Sequence, residues 1–121
     1  MESVRFWHQK LSLRERRDGE LLTLFRLDKD LARQISQVIC KQFRLPKVDI
    51  HFLIEDLELL GSCGDNVITL HGSSGQTAEC LVHELAHHLA ENRKDKQLHG
   101  EKFVQAYKEL LLIVKEFLET Y

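Results

Sequence analysis

The chain has 121 residues, of which 43% are hydrophobic and 30% are charged, and its net charge is −2. This balance predicts one globular domain with its own core, and it gives no overall attraction to nucleic acid. Three cysteines without C-x-x-C spacing argue against a disulfide framework or a zinc ribbon, and the lack of a long apolar run predicts a cytoplasmic protein with no membrane span.

The first 26 residues have the least regular pattern of the chain. Basic residues outnumber acidic ones between Met1 and Glu20, which predicts a solvated basic surface. The run Leu21–Leu27, "LLTLFRL", fits either a short strand or the lead into a helix, because periodicity cannot separate the two in so short a segment. We therefore treat residues 1–26 as a candidate peripheral extension.

The first clearly periodic segment begins at Asp28, whose side chain is suited to cap a helix. Apolar residues then recur at helical spacing, namely Leu31, Ile35, Val38, Ile39 and Phe43. Pro46 predicts that this helix ends near Arg44 or Leu45, because proline lacks an N–H and restricts the residue before it. Alternating apolar and polar residues over Val48–Ile54 predict a strand with one buried face.

The middle of the chain predicts a turn, a strand and a long helix. The turn-forming residues Gly61–Asn66, "GSCGDN", precede a β-branched run, "VITLHG", which we assign as a second strand. Ser73 with Gln76 three positions later resembles a capping box, and this predicts a helix that runs from there to about Asn92.

A charged loop separates this helix from a last amphipathic one. Its apolar positions recur at helical spacing and are Phe103, Tyr107, Leu110, Val114, Phe117 and Tyr121. The predicted order is helix, strand, strand, helix, helix. The fold class is therefore α+β, a small β-sheet packed by an N-terminal helix, a histidine-rich helix and a C-terminal helix.

The histidine-rich helix has two distinct faces. At 100° per residue one broad arc is apolar, and it contains Ala78, Leu81, Val82, Leu85, Ala86 and Leu89. His83 and His87 lie one turn apart on another face, with Glu84 beside them. In this H-E-x-x-H pattern two imidazoles can bind one Zn²⁺, and the glutamate can take a proton from water that the metal activates.

A catalytic zinc usually has three protein ligands, so a third is expected beyond the helix. His99 is the best-placed candidate, because the segment Arg93–His99 is long enough for the chain to reverse. Glu101, Glu109 and His88 stay open as alternatives. Of these, His88 lies at the border of the apolar arc and is expected to pack or hydrogen-bond there.

The block "HELAHHLAENRKDKQLHGEKF", His83–Phe103, resembles the SprT-like branch of the zincin metallopeptidases. It is also similar to short metallohydrolases of bacteria and phage that carry near-identical "HELAHHL" and "HG" blocks. The resemblance covers Thr77–Tyr107 and implies a minimal zincin-like core in a single domain of residues 1–121. It assigns the Zn²⁺ ligands and the catalytic base, which are His83, His87, His99 and Glu84. Many SprT-like proteins continue into a cysteine-rich or DNA-binding module that this sequence does not contain, so a role in DNA–protein crosslink repair is not expected.

The expected function is zinc-dependent hydrolysis of peptide bonds in a peptide or protein substrate. The donor to the oxyanion is open among Tyr107, His71 and His88, and the edge of the strand Val67–His71 is a candidate for binding extended peptide. Cys80 is expected to be an inert buried thiol. Two alternatives remain: a non-catalytic zinc-stabilised module for regulation or partner binding, and a nucleic-acid-associated protease, which the acidic net charge does not favour.

Overall fold

The computed structural model describes residues 7–54, 61–94 and 99–120. Within these ranges the chain forms four helices of more than ten residues and one three-stranded sheet, so the predicted α+β class is confirmed. The helices are α1 (Leu13–Thr23), α2 (Lys29–Phe43), α3 (Ala78–Asn92) and α4 (Glu101–Thr120). The strands are β1 (Asp49–Leu53), β2 (Gly61–Gly64) and β3 (Val67–His71). A 3-10 helix at Trp7–Lys10 precedes α1, and a single helical turn at Gly72–Gly75 follows β3.

Helix α1 begins with a capping box that the sequence analysis did not identify. The Ser12 hydroxyl accepts a hydrogen bond from the Glu15 backbone N–H at 3.1 Å, and the Glu15 carboxylate accepts one from the Ser12 N–H at 2.7 Å. The segment Leu21–Leu27, for which strand and helix were both open, contains the last residues of α1 and the connection to α2. The S-x-x-E signature of this cap is visible in the sequence.

Helix α2 and strand β1 form where the sequence predicts them. The Asp28 carboxylate accepts a hydrogen bond from the Leu31 N–H at 2.7 Å and so caps the first turn of α2. The helix ends as Arg44 adopts a left-handed conformation, φ 55°, two residues before Pro46. In β1 Ile50 is buried, as expected for an alternating strand.

The segment predicted as a turn, Gly61–Asn66, is a turn only in its last two residues. Gly61–Gly64 forms β2 and pairs antiparallel with β3, so the prediction is wrong there. Asp65 and Asn66 connect the two strands, both with positive φ (50° and 62°), as tight hairpin turns require. This strand is held by backbone hydrogen bonds. Its glycines have no side chains, so the sequence shows no alternation of apolar and polar residues.

β3 is the central strand of the sheet, whose order is β1-β3-β2. It pairs parallel with β1 and antiparallel with β2, so the prediction that its edge is open to a peptide is wrong. Among the described residues, β2 is the edge strand on the side of α3. The described sheet thus has two edge strands, β1 and β2, and β2 is the one that packs on α3.

Helix α3 begins four residues later than its predicted capping box implies. Thr77 is the N-cap, and its hydroxyl accepts a hydrogen bond from the Cys80 N–H at 3.2 Å. Gln76, the predicted partner of Ser73, instead donates its side-chain N–H to the Leu53 carbonyl at 3.0 Å. The capping-box prediction is wrong because Thr77 is the N-cap and the Gln76 side chain connects the helix start to the sheet, whereas the predicted end at Asn92 is confirmed.

The core lies between the helices and the sheet. All six residues of the predicted apolar face of α3 are at most 2% exposed, and the predicted face of α4 is buried from Phe103 to Val114. α3 packs along α4 and against β2 and β3, while α2 covers β1. Tyr121, the last predicted apolar position, lies outside the described residues.

Helix α1 crosses α3 and α4 at close range. A Cβ placed on Gly19 would lie 2.9 Å from the Tyr107 hydroxyl oxygen, so glycine permits this approach. The crossing brings the N-terminal segment next to the histidine face of α3. None of the described helices combines the length and apolar character that crossing a lipid bilayer needs.

Candidate metal centre

Three histidine rings converge between α3 and the start of α4. His83 and His87 lie one turn apart on α3, and His99 precedes α4 by two residues. The Nε2 atom of His83 lies 3.2 Å from Nε2 of His87 and 3.1 Å from Nε2 of His99. All three residues are half-buried, and their candidate ligand atoms lie within 4.8 Å of one another. The structure thus brings together the two histidines of the helix and the third from beyond the loop.

Hydrogen bonding alone does not explain this convergence. The Nε2 atom of a neutral imidazole carries either one hydrogen or one lone pair, so His83 cannot make good hydrogen bonds to both neighbours. A cation accepts lone pairs from all three nitrogens. Tetrahedral zinc ligands at 2.0–2.1 Å from the ion stand about 3.3 Å apart, close to the two separations observed. The cluster therefore has the donor type and spacing of a metal site.

The protonation of these rings also suits a metal. Burial, and after it the neighbouring rings of His87 and His99, lowers the pKa of His83 to about 3. Burial likewise lowers the pKa of His99. Both rings are therefore neutral near pH 7, and metal ligation by imidazole requires the neutral form.

His99 is held by aromatic packing and by contacts at both ends of its loop. The Trp7 indole lies parallel to the His99 ring, with an interplanar angle of 11° and centroids 5.9 Å apart, and Phe103 meets that ring edge-on at 4.7 Å. The Arg93 guanidinium donates two hydrogen bonds to the Glu109 carboxylate, at 2.7 and 3.2 Å. The φ of His99 is 55°, a left-handed conformation that histidine tolerates better than most residues.

Glu84 lies on the neighbouring face of α3, beneath β2. It is 6% exposed, and a Cβ built on Gly61 would lie 3.1 Å from its Oε2 atom. Burial, with a smaller contribution from Glu79, raises the pKa of Glu84 to about 7. The glycine in β2 thus makes room for a carboxylate that immediately follows a candidate ligand in the chain.

The cysteines near Glu84 are neutral thiols. Burial raises the pKa of Cys80, and it raises that of Cys63 to about 12. Cys80 is 5% exposed, so the sequence analysis was right to expect a buried thiol. Because the thiolate is the reactive form, these raised pKa values make both cysteines weak nucleophiles.

The alternative third ligands lie in other environments. Glu109 is engaged by Arg93, and the Nε2 atom of His88 lies 2.9 Å from the Pro46 carbonyl oxygen. Glu101 is exposed at the start of α4. Of the four candidates, only His99 joins the helix pair.

The three candidate oxyanion donors lie in different environments. The Tyr107 hydroxyl donates a hydrogen bond to the Glu79 carboxylate at 2.8 Å, and burial raises the pKa of Tyr107. His88 faces Pro46, as described above. His71 is 7% exposed, and its Nδ1 has no hydrogen-bond partner among the described residues.

Trp7 is a site residue that sequence reasoning missed. It is 3% exposed, and besides His99 its ring contacts His83, Phe103 and Tyr107. A signal existed in the sequence, because Trp7 is the single tryptophan of the chain. Large aromatic side chains bury much apolar area and commonly anchor a segment to the core.

Comparison with known protein families, with curated proteins and with solved structures finds no match to this chain. Its function must therefore be inferred from the arrangement of its own side chains.

Proposed function

We propose that this protein is a zinc-dependent hydrolase that cleaves peptide bonds, built on a minimal zincin-like core of the SprT-like type. The observation that carries the proposal is the convergence of three imidazole Nε2 atoms, two of them 3.1 and 3.2 Å from the first. These nitrogens come from the H-E-x-x-H pair on α3 and from His99 beyond the loop. A hydrolase of this kind needs the cluster, a base beside it and a surface for the substrate.

The number of ligands supports a catalytic ion over a structural one. Structural zinc sites usually have four protein ligands, whereas catalytic sites have three and keep a position open. Among the residues that the structure describes, the only group suited to a metal has three members, His83, His87 and His99. Zinc bound there would supply Lewis acidity, which polarises a substrate carbonyl and makes water a stronger nucleophile near pH 7.

Glu84 is the residue that moves the proton. As the water oxygen attacks the carbonyl carbon, the Glu84 carboxylate accepts a proton from that water. It then donates this proton to the amide nitrogen as the C–N bond breaks, which leaves a carboxylic acid and an amine. Its place directly after His83, shielded under Gly61 of β2, supports this role.

Strand β2 is the surface on which an extended peptide fits best. It is an edge of the described sheet, and its first residue lies against Glu84. A peptide that pairs with this edge gains main-chain hydrogen bonds without a particular sequence, and it passes close to the proposed base. The candidate peptide-binding edge thus lies next to the proposed catalytic base.

The alternative of a zinc-stabilised module without catalysis has less support. In that alternative the metal would join α4 to α3, but these helices already pack along each other, and each has a buried apolar face. For a nucleic-acid-associated protease, the basic N-terminal segment is the relevant surface. There the Arg16 guanidinium donates hydrogen bonds to the carbonyls of His8 and Gln9, so this basic side chain is already engaged within the protein.

The substitution Glu84→Gln tests the proposal. We expect the purified wild-type protein to contain one zinc per chain by elemental analysis and to hydrolyse an unstructured protein such as casein. Glu84→Gln should keep the zinc and lose at least about 100-fold in rate, because it removes the base and not a ligand. Glu91→Gln, an exposed glutamate on the same helix, is the matched control and should keep both.

Two results would contradict the proposal. If the wild-type protein contains no bound metal, the proposed zinc-dependent reaction is wrong. Unchanged hydrolysis by Glu84→Gln would show that another group is the base.

A further inference from the structure

A cavity of about 420 Å³ opens beside the metal centre on the side of His83. It lies between the 3-10 helix, α1, and the facing sides of α3 and α4. This volume is within the range of small-ligand sites. The residues that decide its chemistry are Trp7, Leu11, Glu20, Glu79 and Tyr107.

Most of the cavity wall is apolar and aromatic. Trp7, Leu11 and Tyr107 line it, and each is at most 6% exposed. An apolar wall of this kind favours a ligand with an apolar stem.

The polar part of the wall is acidic. Glu79 lies one turn before His83, and its carboxylate accepts one hydrogen bond, from Tyr107, which leaves room for further donors. Glu20 adds a second, exposed carboxylate.

The other charged residues of the wall are engaged with neighbours. Glu15 caps α1 and lies 3.9 Å from Lys108. The guanidinium of Arg16 donates hydrogen bonds to the carbonyls of His8 and Gln9. The wall contains three carboxylates, those of Glu15, Glu20 and Glu79, and one guanidinium, so its charge is mainly acidic and suits a cationic ligand.

We propose that this cavity binds the lysine or arginine side chain of a peptide substrate, next to the bond that the metal centre hydrolyses. The inference rests on the proposed function and names its substrate class. The aliphatic stem of the basic residue packs on Trp7 and Leu11, as such stems commonly do. Its cationic head is attracted by the aromatic faces and by Glu79 and Glu20.

Fluorescence of Trp7 tests the proposal directly, because this is the only tryptophan and it lines the cavity. The zinc-loaded full chain is titrated with N-acetyl-lysine methylamide and with its neutral isostere, N-acetyl-norleucine methylamide. We expect the lysine probe to bind about tenfold more tightly, as one charge-assisted hydrogen bond implies. Equal affinities for the two probes would overturn the proposal.

Variants assign the preference to the carboxylates. Glu79→Gln can still accept the Tyr107 hydrogen bond and should lose most of the tenfold preference. Glu20→Gln, at an exposed position, tests the second carboxylate without risk to folding. Glu119→Gln, exposed near the end of α4, is the matched control and should keep the preference. A preference that survives in the double variant of Glu79 and Glu20 would overturn the assignment.

The binding measurement separates this proposal from the proposed function, because it does not depend on hydrolysis. If the protein prefers the lysine probe but hydrolyses no peptide, the proposed role of the cavity is supported and the hydrolase proposal is wrong. The opposite result is also possible. If peptides with and without basic residues are hydrolysed equally fast and the two probes bind equally, the proposed role of the cavity is wrong and the hydrolase proposal stands.

Discussion

Trp7 is the residue that connects the N-terminal segment to the candidate metal centre. Its indole lies parallel to the His99 ring and also contacts His83. His99 stands in a left-handed backbone conformation two residues before α4, so it lies outside the helix that follows it. Packing against a rigid aromatic surface limits the rotation of the imidazole, and ligands held in place bind metal more tightly.

We therefore predict that Trp7→Ala weakens zinc binding by about tenfold, while Trp7→Phe, which keeps an aromatic surface, loses much less. Competition with a chromophoric chelator measures the affinity. Leu24→Ala removes an apolar side chain that is 79% exposed and serves as the control. Unchanged zinc affinity in Trp7→Ala would show that His99 is oriented by other contacts.

Among the secondary-structure elements, β2 has the most direct influence on the proposed base. The strand passes so close to α3 that a Cβ on Gly61 would lie 3.0 Å from the Cys80 sulfur and 3.1 Å from the Glu84 carboxylate. Contacts this short require one partner to move. At Gly64, three residues along the same strand, an added Cβ meets nothing within 4 Å.

This contrast predicts different outcomes for two otherwise identical substitutions. Gly61→Ala should displace Glu84, lower the hydrolysis rate and cost about 1–3 kcal/mol in the free energy of unfolding, as overpacking does. Gly64→Ala should change neither by much. Urea denaturation and a peptide-hydrolysis assay on both variants provide the measurement, and equal behaviour of the pair would contradict the role assigned to β2.

The elements differ in how well the sequence predicted them. α2, β1, the end of α3 and the buried face of α4 follow directly from periodicity and capping, and they form as predicted. β2 was missed because its glycines give no alternation of apolar and polar side chains. α1 was left undecided, although the Ser12–Glu15 capping box would have identified it.

For the molecule as a whole, a metal that binds the three histidines links α3 to the segment that leads into α4. In the unfolded chain no helix holds His83 and His87 on one face, so the site is not preformed there. A ligand that binds only the folded state stabilises it, by about 2.7 kcal/mol when the free ligand is 100-fold above its Kd.

Zinc removal should therefore lower the melting temperature by roughly 10 °C under those conditions for a chain of this size. Thermal denaturation with and without EDTA measures the effect. His99→Ala should lose the response to zinc, whereas His51→Ala, at an exposed histidine of β1, should keep it. A response that survives in His99→Ala would show that a different set of residues binds the metal.

Local sequence was enough to identify the α+β class, the buried face of α3, and the separate face that carries His83, Glu84 and His87. Those features depend on the 3.6-residue repeat of helices and the two-residue repeat of strands, which can be read within a short segment. The parallel packing of Trp7 on His99, the closeness of β2 to Glu84 and the cavity beside His83 became visible only in the folded chain. They arise from contacts between residues far apart in sequence, which no local period records.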